Sequence, residues 1–109
     1  LVAHFHDTRG LGLANVVAAL DSGVQKFDAS LAGLGGCPFA PGASGNIATE
    51  DTVNMCETMG LRTGIDLYAL MQLRKRFSLW LPDEALEGRM IKAGISSTFT
   101  QTRSRVHSI

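Results

Sequence analysis

An α/β fold with parallel strands is what this sequence predicts. The elements read strand, helix, strand, loop, helix, with short connections, the pattern of βα units rather than of antiparallel hairpins. His4, Phe5 and His6 alternate along an extended opening segment. Leu13, Val16, Val17 and Leu20 then recur at i, i+3, i+4 and i+7, the spacing of an amphipathic helix. Composition agrees: 45% of the 109 residues are hydrophobic, enough for a packed core and too apolar for a disordered chain. One small domain is the default for this length.

The first strand is expected over residues 1–7. Side chains at i and i+2 share a face, so the imidazoles of His4 and His6 lie on one side and Phe5 on the other. Residues 8–12 form a turn, where Asp7 either caps the following helix or orients a histidine. The first helix ends at Gly23. A second strand falls within residues 24–31, where Phe27, Ala29 and Leu31 alternate against Asp28 and Ser30. A glycine-rich loop follows, with Gly33, Gly35, Gly36, Gly42 and Gly45 around Cys37, and Asn46 near its end. Glycine-rich loops leading into helices are often built around ligands.

Thr49 is the expected N-cap of the next helix, over about residues 50–59, with Glu50 and Asp51 as carboxylates suited to a helix start. Asp66 is the expected cap of a third helix, which places Leu67, Leu70, Met71, Arg74 and Phe77 on one side and stops before Pro82. A short helix is expected within residues 83–92, and a polar, mobile tail over residues 96–109. The opening Leu-Val-Ala-His-Phe-His reads like the interior of a strand, so the chain is expected to be the end of a longer protein.

The charges exclude some partners. Ten basic residues balance ten acidic ones, so no excess charge points to nucleic acid or to a membrane surface. No apolar run approaches the roughly 20 residues of a membrane helix. Cys37 and Cys56 are expected to be free thiols, Cys56 as a core residue within a helical pattern.

Two imidazoles on one face of a strand can hold one metal ion, although a bare His-x-His is more often a pair of ordinary histidines. Their place at a strand's C-terminal end favours a site, because α/β folds bind ligands there. Asn46 offers a neutral amide oxygen suited to a hard cation, or simply a left-handed turn residue. Cys37, between Gly36 and Pro38, is open to close approach by a substrate.

These residues carry a family resemblance. His4-Phe5-His6-Asp7-Thr8-Arg9-Gly10, Leu13-Ala14-Asn15, Ala32-Gly33-Leu34-Gly35-Gly36-Cys37-Pro38 and Gly42-Ala43-Ser44-Gly45-Asn46-Ile47-Ala48-Thr49-Glu50-Asp51 resemble the 3-hydroxy-3-methylglutaryl-CoA lyases. The resemblance covers roughly residues 2–66, with a weaker likeness continuing to Gly94. It implies a TIM (β/α)8 barrel, of which residues 1–95 would supply the last two strand–helix units plus C-terminal helices. It implies a divalent cation, magnesium (Mg2+) or manganese (Mn2+), held by His4, His6 and Asn46. Cys37 would be the catalytic loop cysteine, His4 a second catalytic residue, and Glu50 a residue near the loop. The implied partners are an acyl-CoA substrate and a second copy in a homodimer, with no nucleic acid and no membrane.

The resemblance also implies an aspartate ligand, a catalytic arginine and a further glutamate from earlier strands. These have no match in the 109 residues, so the chain alone is expected to be inactive. The related Claisen-condensing synthases share the His-x-His strand but lack a cysteine in the loop, so Cys37-Pro38 favours the lyase. A barrel metal hydrolase would need further ligands, and only His107 remains. A non-enzymatic reading is a degenerate barrel or assembly piece that keeps the loop for structure; the intact Cys37, His4, His6 and Asn46 argue against such decay. The closing His107-Ser108-Ile109 is not a peroxisomal signal. A bacterial cytoplasm is the expected compartment, or a mitochondrial matrix if the source is eukaryotic.

Overall fold

Two short parallel strands anchor a computed structural model that describes residues 1–35 and 44–96. Strand β1 is Ala3–His4 and strand β2 is Phe27–Asp28, with Ala3 opposite Phe27 and His4 opposite Asp28. Helix α1, Gly12–Asp21, links them, and helix α2, Thr49–Thr58, follows the loop. Helix α3 is Leu67–Trp80 and helix α4 is Met90–Ala93. The α/β reading with parallel strands therefore holds for the described residues. No described helix is long and apolar enough to cross a membrane.

The strands are shorter than the alternation suggested. Only two residues of each pair in a regular ladder, and Leu31 belongs to a tight turn, Leu31–Gly33, rather than to the second strand. The side-chain directions agree with the expectation nonetheless. The His4 and His6 rings lie 5.0 Å apart, while Phe5 stacks towards Phe27 at 6.5 Å.

The chain beyond the loop returns between the two strand ends. Ile47 donates its N–H to the carbonyl of Phe5, and its own carbonyl accepts from Ser30. Ile47 is 1% exposed, so this wedge joins the ends of β1 and β2 around a buried side chain. Burying a side chain of that size contributes roughly 2 kcal/mol. Gly12 leaves room for it: a Cβ there would lie 2.3 Å from Ile47 Cγ2.

Two helix boundaries differ from the expectation. The cap of α2 is Ala48, not Thr49, and no side chain performs the capping. Ala48 is extended and bridged to Ser30, and Thr49 donates its N–H to the Ser30 carbonyl, so tertiary pairing does the work of a cap. Helix α4 begins only at Met90, because the Asp51 carboxylate accepts from the N–H groups of Arg89 and Met90. Asp66 does cap α3, accepting from Ala69. Val53, Leu67, Met71 and Met90 form the core where α2, α3 and α4 meet.

Candidate metal site at the strand ends

His4 and His6 leave β1 at its C-terminal end, and the loop's return brings Asn46 beside them. His6 and Asn46 form an antiparallel bridge, reinforced by the Asp7 N–H donating to the Gly45 carbonyl. Asp7 also accepts from the Gly12 N–H, the first of α1, although the N-cap position itself is Leu11.

Both imidazoles are oriented through Nδ1. His4 Nδ1 lies 2.5 Å from Asp28 Oδ1, and His6 Nδ1 lies 2.9 Å from the Ser44 carbonyl oxygen. A carboxylate and a carbonyl oxygen only accept, so each Nδ1 carries the hydrogen, and in the neutral ring the lone pair is on Nε2. That is the arrangement metal-binding histidines use: one nitrogen fixed by a hydrogen bond, the other presented to the ion. The parallel register produces the His4–Asp28 pair, since these two residues face one another across the ladder.

Asn46 is held in the same manner. Its Nδ2 donates to the Leu34 carbonyl at 2.8 Å. Its Oδ1 is buried and has no hydrogen-bond partner among the described residues. An unpaired buried acceptor costs roughly 1–3 kcal/mol, and a bound cation would satisfy it. Gly35 is required for this contact, because a Cβ there would sit 2.4 Å from Asn46 Nδ2. The donors present therefore fit a hard divalent cation: two neutral imidazole nitrogens and an amide oxygen. Among the described residues no group of three His, Cys, Asp or Glu could hold a metal, so these donors include only two side chains of that type. A cleft of about 410 Å³ opens beside Asn46, lined also by Asp7, Ser44, Asp51 and Arg89, and neither imidazole lines it.

Glu50 lies in the first turn of α2, as expected of a helix-start carboxylate, but it does not face solvent. It is fully buried, and both its oxygens accept from the Ala32 N–H, at 3.0 and 3.2 Å. Arg74, 3% exposed, brings its Nε within 3.2 Å of Glu50 Oε2. The Nε–H is not aligned as a hydrogen bond, so this contact is one of charge. Burial pushes the Glu50 carboxyl above its ordinary value of 4.5; the backbone N–H groups and the Arg74 cation oppose that rise. The pair was recognisable in part: Arg74 falls on the apolar side of its helix, where a cation needs a buried partner. Asp28 carried no such signal, because its pairing with His4 depends on the strand register.

Cys37 lies outside the described residues, as does His107. Cys56 is buried and free, as expected for a core residue, and burial together with Glu57 raises its thiol pKa.

The family model HMGL-like matches residues 1–76. A hydroxymethylglutaryl-CoA lyase of Pseudomonas mevalonii is 56% identical over 81 residues, covering 74% of this chain and 27% of that protein. A 3-hydroxy-3-isohexenylglutaryl-CoA/hydroxymethylglutaryl-CoA lyase of Pseudomonas aeruginosa is 49% identical over 76 residues, covering 70% of this chain and 25% of that protein. The solved structure of an HMG-CoA lyase from Acinetobacter baumannii, in complex with coenzyme A and 3-methylmalate, superposes with a TM-score of 0.82 at 57% identity. It covers 89% of this chain and 32% of that one. The chain thus spans about a quarter to a third of the length of these relatives.

Proposed function

Because this chain belongs to the HMGL-like family, we propose that the full-length protein is a divalent-cation-dependent lyase. It cleaves 3-hydroxy-3-methylglutaryl-CoA to acetyl-CoA and acetoacetate. In this reading residues 1–95 form the last two strand–helix units and C-terminal helices of a (β/α)8 barrel, whose site lies at the C-terminal ends of the strands. His4, His6 and Asn46 hold magnesium or manganese there. The observation that carries the reading is the buried Oδ1 of Asn46, unpaired among the described residues, beside two imidazoles whose Nδ1 atoms are already engaged.

A bound cation would supply Lewis acidity towards the substrate's hydroxyl and carbonyl oxygens, lowering the hydroxyl pKa. The chain's own residues do the rest. Asp28 and the Ser44 carbonyl fix the tautomers of His4 and His6, so that both present Nε2. Once the hydroxyl proton is removed, the bond between C2 and C3 breaks, giving acetoacetate and the enolate of acetyl-CoA. That carbon must then be protonated, and Cys37 is the residue for the transfer, with His4 assisting. A covalent thioester on Cys37 is no part of this scheme. The aspartate ligand, arginine and further glutamate implied by the resemblance have no counterpart among the 109 residues, so the chain alone should give no turnover. The homodimer and the acyl-CoA substrate belong to the same proposal.

The test is acetoacetate release from hydroxymethylglutaryl-CoA by the full-length protein with magnesium or manganese, beside Cys37→Ala. The expected result is cation-dependent cleavage that falls by orders of magnitude in the variant. Folded, cation-loaded protein that cleaves only a longer 3-hydroxyacyl-CoA would move the substrate towards that of the Pseudomonas aeruginosa relative. No cleavage of either thioester would overturn the lyase assignment.

A further inference from the structure

We infer that Arg74 is a positioning residue for the metal site proposed above, acting through Glu50 and the turn at Ala32 to aim the Oδ1 of Asn46. The inference rests on that metal-site reading. Arg74 lies on α3 and touches none of the three candidate ligands in any hydrogen bond or ion pair among the described residues. What it does is hold the two peptide units that flank the Ala32 Cα, one through the Ala32 N–H and the other through its carbonyl.

On one side, its Nε lies 3.2 Å from the Glu50 carboxylate, which accepts the N–H of Ala32. On the other, its Nη2 donates to the Glu87 carbonyl at 3.3 Å, and Glu87 in turn donates its N–H to the carbonyl of Ala32 at 2.7 Å. Nη1 is braced by Ser78 Oγ at 2.9 Å. Both polar groups of Ala32 are therefore tied, each through one intermediary, to the same guanidinium. Ala32 needs such a hold. Its φ of 60° is left-handed, a conformation that residues with a Cβ seldom adopt unless their surroundings impose it.

The turn passes the constraint to the site. Two residues beyond Ala32, the Leu34 carbonyl accepts from Asn46 Nδ2 and so decides which way Oδ1 points. The packing there has no slack: a Cβ on Gly33 would meet the Asn46 carbonyl oxygen at 3.1 Å, and one on Gly35 would meet Nδ2 at 2.4 Å. A turn that shifts moves the carboxamide with it. Stability alone is a weak reason for such a pair, since a buried ion pair is often no better than well-packed apolar residues of similar volume.

Manganese titration of the full-length protein, with free ion followed by electron paramagnetic resonance, tests this. The variants are Asn46→Ala, Arg74→Met and Arg74→Lys, each checked for folding by circular dichroism. Asn46→Ala should weaken Mn2+ binding by at least about tenfold, and Arg74→Met by about tenfold, the usual loss when a residue that orients a ligand is removed. Arg74→Lys keeps a cation for Glu50 but cannot also donate to Glu87, so it should weaken binding severalfold while the protein stays folded. It decides the matter if Arg74→Met does not fold. A purely structural Arg74 would lower the melting temperature and leave the Mn2+ dissociation constant of the folded protein unchanged. If Asn46→Ala weakens binding and folded Arg74→Lys does not, the positioning role is overturned and the metal site stands. If Asn46→Ala leaves binding intact, the metal-site reading falls and this inference with it.

Discussion

His4 and His6 are held by different acceptors, and the difference follows from where each sits. His4 is inside the parallel ladder and meets Asp28 across it; His6 lies just beyond the ladder and meets the Ser44 carbonyl of the returning loop. Glu50 is the residue whose environment departs furthest from its local sequence. Burial raises its folded pKa above 4.5, so the native state holds the proton more readily than the unfolded chain does. The sign is then fixed: the stabilising contribution is greatest below about pH 4.5 and is lost as pH rises through the higher folded value. Melting temperatures taken from pH 4.5 to neutrality should therefore fall in the wild type relative to Glu50→Gln as pH rises. A difference that stays flat, or rises, contradicts the buried carboxyl. The sequence alone pointed to His4, His6 and Asn46 through type and spacing. It did not reveal the Glu50 environment, because helix-dipole reasoning is local and Arg74 lies 24 residues away along the chain.

The helices were more readable than the strands, for a physical reason. A helix satisfies its own backbone, so periodicity and caps report it directly: Asp66 marks the start of α3 and Gly23 lies two residues beyond α1. A strand exists only against a neighbour. Alternation over residues 1–7 gave the side-chain directions correctly, while the ladder is limited to Ala3–His4 by what β2 offers. Bonds between residues distant in sequence likewise set the starts of α2 and α4, where Ser30 and Asp51 take the first N–H groups. The local cap of α3 can be tested separately. Asp66→Ala should destabilise the protein by about 1 kcal/mol in urea unfolding, with the slope of the transition unchanged. A loss several times larger would show that Asp66 carries more than the cap.

The molecule is a slab, 47 × 37 × 20 Å, about one sheet and one helix layer thick. Leu1 and Val2 on β1's approach, and Leu79 and Trp80 at the end of α3, stand exposed. Such a slab suits the proposed place of this chain as a sector of a closed barrel, where neighbouring strands would cover the open edge. Family membership and the βα order were legible from the motifs around His4, Cys37 and Asn46.

The central claim is that His4, His6 and Asn46 share one divalent cation. Anomalous scattering from crystals of the full-length protein grown with manganese tests it most directly. The account predicts a single strong manganese peak within coordination distance of His4 Nε2, His6 Nε2 and Asn46 Oδ1, with both Nδ1 atoms still bonded to Asp28 and Ser44. A fully occupied manganese elsewhere, or none at the strand ends with Asn46 Oδ1 bonded to protein, would contradict it.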